Sequence, residues 1–287
     1  MFMTRKPVTF PVLFAAAASL FPISGLRAED SASPWVADVH SASRLIAGNK
    51  ATTESGPVLR AGIEIKLDPG WKTYWRYPGD SGVPPRFDFS GSDNLRSAKV
   101  LYPAPHEFTD EAGNSIGYKD AVVFPLQVVA RDPAKPVRLR LKLDYATCEK
   151  LCVPAEGRGQ LTLSGTGDAD AVVTAAEALV PKPAKLGDSA PLAIRALRRV
   201  NNAAKPLVMV EVAAPAGAKV ELFAEGPTPE WALPVPAPAP GGPEGTQQFS
   251  FELDGLPPGA NPASKDLTLT LTAVAGKDAI EVPAHLD

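Results

Sequence analysis

Much of what would point to a familiar chemistry is missing from this chain. It has no phosphate-binding loop and no His-Glu-x-x-His pair in 287 residues, which removes two common signs of nucleotide binding and zinc hydrolysis. Lysines and arginines nowhere form a cluster, and the formal net charge is −3. An acidic chain without a basic patch argues against nucleic acid as a partner. Aromatics make up only 7% of residues, strong helical periodicity is scarce, and no regular short repeat occurs. Beyond the first few dozen residues no apolar run reaches the roughly 20 residues of a spanning helix. Cysteine is rarer still, at two residues.

Those two cysteines are the most informative positions. They stand four apart in Tyr145-Ala-Thr-Cys148-Glu149-Lys150-Leu-Cys152-Val-Pro154, at the end of an alternating strand pattern. A bond between them would close a loop of about five residues, and chain entropy assigns such a loop only about 2 kcal/mol. A longer loop would serve a structural staple better. Local, exposed disulfides are the exchangeable ones, so the pair reads as a redox couple. The N-terminus fits a compartment that permits this chemistry. Arg5 and Lys6 precede an apolar stretch from Val8 to Leu20, and Leu26-Arg27-Ala28 precedes Glu29-Asp30. This is the pattern of a signal peptide over residues 1–28, cleaved after Ala28. Its removal takes away three positive charges and no acid, moving the net charge from −3 to −6. A disulfide persists in the extracytoplasmic space such a signal reaches.

Proline, at 31 residues, and glycine, at 23, punctuate short alternating runs. Val58–Leu67 alternates apolar and polar residues and ends at Asp68-Pro69-Gly70, as a half-buried strand does. Val122–Val129, Val137–Asp144 and Gln160–Ser164 behave alike, and their spacing suits an antiparallel sandwich. Asp168–Val180 departs from this, with Ala, Val and Leu at helical spacing behind Asp168 or Asp170 as N-cap. The prolines of 181–191 mark a linker. Six further short runs between Leu192 and Val282 predict a second, smaller β-sandwich over 192–287, following a first domain over 29–180.

Four of the chain's few aromatics, Trp71, Tyr74, Trp75 and Tyr77, fall within seven positions of Gly70-Trp-Lys-Thr-Tyr-Trp-Arg-Tyr-Pro-Gly-Asp-Ser-Gly82. They are expected either to fill a sandwich core or to wall off the cysteines from water and stray thiols. Taken with Ile116-Gly-Tyr-Lys-Asp-Ala-Val-Val-Phe-Pro125 and Tyr145–Pro154, this segment resembles the N-terminal periplasmic domain of DsbD-type thiol:disulfide interchange proteins, and most closely the ScsB-like branch. The resemblance spans about Pro34 to Val180. It implies an all-β, immunoglobulin-like sandwich that takes electrons from a membrane thiol carrier and passes them to periplasmic thioredoxin-like proteins, as a protein-disulfide reductase component with no cofactor. Cys148 and Cys152 match the family's redox pair, with Tyr145, Glu149, Lys150, Pro154, Trp71, Tyr74, Trp75 and Tyr77 as the expected surround.

The best-known members space their cysteines more widely, and DsbD and ScsB carry a membrane domain and a thioredoxin-like domain not found in these 287 residues. The expected donor is therefore a separate CcdA-like or DsbD-like integral-membrane protein. The expected acceptor is a disulfide isomerase or a cytochrome c maturation thioredoxin. Either cysteine could be the attacking thiolate, with the placement of Pro154 favouring Cys152. Two rival classes stand beside this reading. Cys-x-x-x-Cys also occurs in Sco-type copper chaperones, and soft thiolates select Cu(I); His40, His106, His285 and Met209 are the candidate third ligands. A non-catalytic sandwich with a structural disulfide is the other.

Overall fold

A computed structural model describes Met1 and residues 31–54, 56–79, 82–110, 113–200, 205–264 and 266–286. The signal sequence expected over residues 1–28 lies outside the described residues, Met1 apart. In chain order the strands before the helix are β1 (Val36–Asp38), β2 (Ser41–Ala47), β3 (Ala51–Thr53), β4 (Gly56–Leu67), β5 (Lys72–Gly79), β6 (Arg86–Asp88), β7 (Leu95–Val100), β8 (His106–Asp110), β9 (Gly113–Lys119), β10 (Ala121–Ala130), β11 (Val137–Cys148) and β12 (Cys152–Leu163). After the helix α1 (Asp170–Glu177) come β13 (Lys182–Pro183), β14 (Ala193–Arg199), β15 (Leu207–Ala213), β16 (Val220–Glu225), β17 (Ala237–Ala239), β18 (Thr246–Glu252), β19 (Thr268–Ala275) and β20 (Asp278–His285).

The first twelve strands make two sheets. One runs β1-β2-β4-β10-β7, with β3 beside β4; the other runs β12-β11-β5-β9-β8, with β6 beside β11. Alternation in sequence sets which side chains meet between them. In β11, Val137, Leu139, Leu141, Leu143 and Tyr145 face inward, while Arg138 and Lys142 are exposed. They close on Ile63, Ile65, Phe124 and Leu126 of the facing sheet, and each such side chain contributes about 1.5–3 kcal/mol by leaving water. The chain is thus a β-sandwich followed by a second, smaller one, as its patterning predicts, and the first is immunoglobulin-like, as the resemblance implies. The second sandwich pairs the sheets β13-β20-β19-β16 and β14-β15-β18-β17 around Val208, Val210, Leu222, Phe249, Leu269 and Leu271. The expected linker supplies an edge strand of that domain, because Lys182–Pro183 run parallel to Ile280–Glu281.

Helix α1 is shorter than the patterned run. The N-cap is Ala169, whose methyl has no oxygen to cap the helix, and the Asp170 carboxylate of the first turn is engaged elsewhere. It accepts from the Asn49 backbone N–H at 2.7 Å and from Arg60 Nη1 at 2.6 Å. Arg60 also reaches Glu177 at 2.6 Å, raising its own pKa chiefly through that hydrogen bond. One arginine therefore ties both ends of the helix to β4.

The two sandwiches meet along β5. Phe223, Val274 and Ala279 of the second belong to the same apolar cluster as Trp75 and Tyr77 of the first. The Trp75 and Phe223 rings lie 5.7 Å apart.

Candidate redox site

The inward–outward alternation of β11 stops at its end. Tyr145, Ala146, Thr147 and Cys148 are all buried, so both faces of the strand are covered there. The chain then turns through Glu149, Lys150 and Leu151, all exposed, and returns as β12. Cys148 and Cys152 are register partners at the closed end of this hairpin and are joined by a disulfide, with Cα atoms 4.2 Å apart.

Two sulfurs on one short turn have unlike surroundings. Cys148 is 2% exposed and packs in a small cluster with Tyr74 and Ala146, separate from the main core. Cys152 is exposed and follows Leu151, whose relative exposure is 75%. The Tyr74 hydroxyl lies 2.7 Å from Cys148 Sγ, to which it donates, and 3.0 Å from Cys152 Sγ. Its ring is covered in turn by Gly82, where an added Cβ would come 2.5 Å from Tyr74 Cε1. Only a residue without a side chain allows that approach. A phenol within reach of both sulfurs can donate to whichever becomes a thiolate, which favours the charged form.

Strand β5 delivers Tyr74 because it lies beside β11. Thr73 and Lys72 pair with Thr147 and Cys148, and the buried Thr73 hydroxyl donates to the Ala146 carbonyl at 2.9 Å. Beneath the site, the Tyr145 hydroxyl meets Ser41 Oγ at 2.7 Å. Burial raises the Tyr145 pKa against the opposing pull of that hydrogen bond, so it stays a neutral phenol.

The structure separates the aromatic residues that sequence grouped together. Tyr74 alone of the four contacts the sulfurs. Trp75 and Tyr77 join the core and the second sandwich, Tyr77 donating to the Leu233 carbonyl. The reason is the strand itself, which sends neighbouring side chains to opposite faces. Trp71 is half-buried and stacks on His40 at 3.7 Å. Glu149 and Lys150 form the exposed turn, and Pro154 lies exposed on edge strand β12 opposite Ala146, a position that tolerates the missing N–H.

The candidate third ligands for copper are engaged elsewhere. His40 Nδ1 is 3.0 Å from Asp68, His106 is 3.0 Å from Glu221, and His285 is 3.0 Å from the Thr268 hydroxyl. Met209 sits in β15, opposite Ser250. Gly113-Asn-Ser-Ile-Gly117 has the spacing of a serine-hydrolase nucleophile elbow. It lies within β9, however, and Ser115 is 2% exposed with its hydroxyl on the Phe108 carbonyl. An elbow needs a sharp strand-to-helix turn with an accessible hydroxyl.

Residues 42–164 match the family model described as thiol:disulfide interchange protein DsbD, N-terminal. No curated protein matches the chain. Among solved structures, the N-terminal periplasmic domain of ScsB from Proteus mirabilis aligns with a TM-score of 0.67 at 20% identity, covering 90% of this chain and 98% of that one. At that identity the likeness establishes a shared fold, and its coverage takes in both sandwiches.

Proposed function

Because residues 42–164 match the family model of the DsbD N-terminal domain, we propose that the protein exchanges thiols and disulfides through Cys148 and Cys152, passing electrons to periplasmic thioredoxin-like proteins. The observation that carries this reading is the pairing of an exposed sulfur with a buried one beneath a shared tyrosine hydroxyl. A structural disulfide has no use for that asymmetry.

In the reduced protein, the Cys152 thiolate attacks one sulfur of the acceptor's disulfide. The other acceptor sulfur leaves as a thiolate, and a mixed disulfide joins the two proteins. Cys148 then loses its proton and attacks Cys152 Sγ, which expels the second acceptor thiolate. Two electrons have moved to the acceptor, its two thiolates take up protons, and Cys148–Cys152 is again bonded. Tyr74 donates to the thiolate at each stage. A CcdA-like or DsbD-like membrane protein returns the electrons, with the residues 29–180 as the exchanging domain, the residues 192–287 as its companion, and the signal sequence directing both to the periplasm.

Trapping tests this. Cys148→Ser leaves Cys152 with no resolving partner and is expected to accumulate mixed disulfides with a thioredoxin-like acceptor. Cys152→Ser is expected not to. The native pair should titrate against a dithiothreitol series at a potential above about −300 mV, the rough bound for structural disulfides. A pair that resists mild reductants, or trapping through Cys148 instead, would overturn the reading.

A further inference from the structure

Strand β5 has different neighbours at its two ends. At the first, Lys72, Thr73 and Tyr74 are paired with Lys119, Tyr118 and Gly117 of β9. The register then lapses until Gly79 meets Ser115, so that Trp75, Arg76, Tyr77 and Pro78 stand opposite Ile116 alone. Tyr74 is therefore the last residue held by that ladder, and the next four form a wide bulge whose shape the sheet does not dictate.

Contacts from the second sandwich hold three residues of this bulge. Trp75 packs against Phe223, and the Tyr77 hydroxyl reaches the Leu233 carbonyl. Arg76 Nε and Nη2 take both oxygens of Glu225 at 2.8 and 2.6 Å, and Nη2 also meets Glu281. The fork geometry of a guanidinium on a carboxylate fixes orientation as well as charge. Burial opposes the Arg76 charge, yet the hydrogen bonds and charges of Glu225 and Glu281 outweigh it and raise the Arg76 pKa. Arg76 also lies over the Trp75 ring, 4.4 Å from its centroid.

We infer that the second sandwich is a working part of the redox site: through Arg76 it pins the bulge of β5 and so sets the Tyr74 hydroxyl against Cys148 and Cys152. Arg76 is a positioning residue in this scheme and touches neither sulfur. The inference rests on the thiol-exchange reading and adds to it a role for the second domain. An isolated first sandwich would keep its cysteines and its fold class while losing the constraint on the phenol that tunes them.

The test is the pH dependence of Cys152 alkylation by iodoacetamide in the reduced full-length protein, followed by mass spectrometry. Arg76→Ala is expected to raise the midpoint of the pH–rate profile by about half to one unit, as a partly lost hydrogen bond to a charged group would. Arg76→Lys keeps the charge without the fork and should fall between. In a Tyr74→Phe background, which has no hydroxyl to position, Arg76→Ala should cause no further shift. Glu225→Gln with Glu281→Gln gives the same comparison where Arg76→Ala folds poorly. Equal shifts in both backgrounds, or no shift in either, would overturn the positioning role. That failure is distinct from failure of the thiol-exchange reading, in which the native protein itself would not exchange with any acceptor.

Discussion

Cys148 and Cys152 are chemically identical and four residues apart, yet one is enclosed and the other faces solvent. The difference comes from strand geometry: Cys148 is the last residue of a strand covered on both faces, whereas Cys152 opens an edge strand. Tyr74 is what encloses Cys148. In the reduced protein, Tyr74→Ala should therefore raise the rate at which a small reagent alkylates Cys148 several-fold, while Cys152, already exposed, gains no such acceleration. Peptide-resolved alkylation checks this, run alongside a thermal melt because truncating a buried ring costs about 3–5 kcal/mol. Unchanged Cys148 reactivity in a folded variant would mean that the hairpin shields this sulfur without help. At this scale the cysteine pair was legible in the sequence, since two cysteines at the end of an alternating strand have few other uses. The choice of Tyr74 among four clustered aromatics was not. Strand alternation implies that Tyr74 and Trp75 face opposite ways, but which of them meets the sulfurs depends on β11 lying alongside.

At the scale of elements, β5 is held close to β9 at one glycine. A Cβ on Gly117 would strike the Thr73 carbonyl oxygen and come 3.0 Å from Tyr74 Cα. Gly117→Ala must push the two strands apart where Thr73 secures the end of β11. The expected cost is about 1–3 kcal/mol, typical of overpacking, read as a lower midpoint in urea. It should be accompanied by faster alkylation of Cys148, since Tyr74 moves with Thr73. A stability loss without that change would show that the strand yields elsewhere. The strands themselves were readable from alternation; β4, β10 and β11 appear where the pattern places them. The bulge of β5 was readable only in part. Pro78, which has no N–H to give a ladder, marks an irregularity in the sequence, but its extent over residues 75–78 and the docking of the second sandwich against it do not show there.

Across the whole molecule, a further polar contact spans the two sandwiches. Glu221 accepts from the Glu107 backbone N–H at 3.0 Å and lies 3.0 Å from His106 Nδ1. The hydrogen bond to Glu221 raises the His106 pKa above 6.5, with burial opposing it. Burial pushes the Glu221 pKa upward, but its bonds to His106 and Glu107 prevail and lower it below 4.5. A raised histidine stabilises the fold below its unfolded pKa and loses that contribution as pH rises through the folded value. A lowered carboxylate stabilises above its unfolded pKa and loses that contribution as pH falls through the folded value. The ion pair is thus complete between the two ordinary values, 4.5 and 6.5. The melting temperature of the native protein should exceed that of His106→Gln most within this window, and the gap should shrink on the alkaline side. A gap independent of pH would mean that the imidazole contributes by packing alone.

Patterning alone determined that this chain is built of short antiparallel strands in two sandwiches with a proline-rich stretch between them, because burial on one face of a sheet forces a period of two that any sequence must display. It also singled out Cys148 and Cys152, because the value of a disulfide depends on loop length, which is counted along the chain. Tertiary structure alone decided which cysteine faces solvent, which tyrosine meets the sulfurs, and that Arg76 is held by Glu225 and Glu281, more than a hundred residues further on. Those are facts of approach between segments remote in sequence. Local propensity carries no record of them, since the same alternating strand could present either face to the same partner.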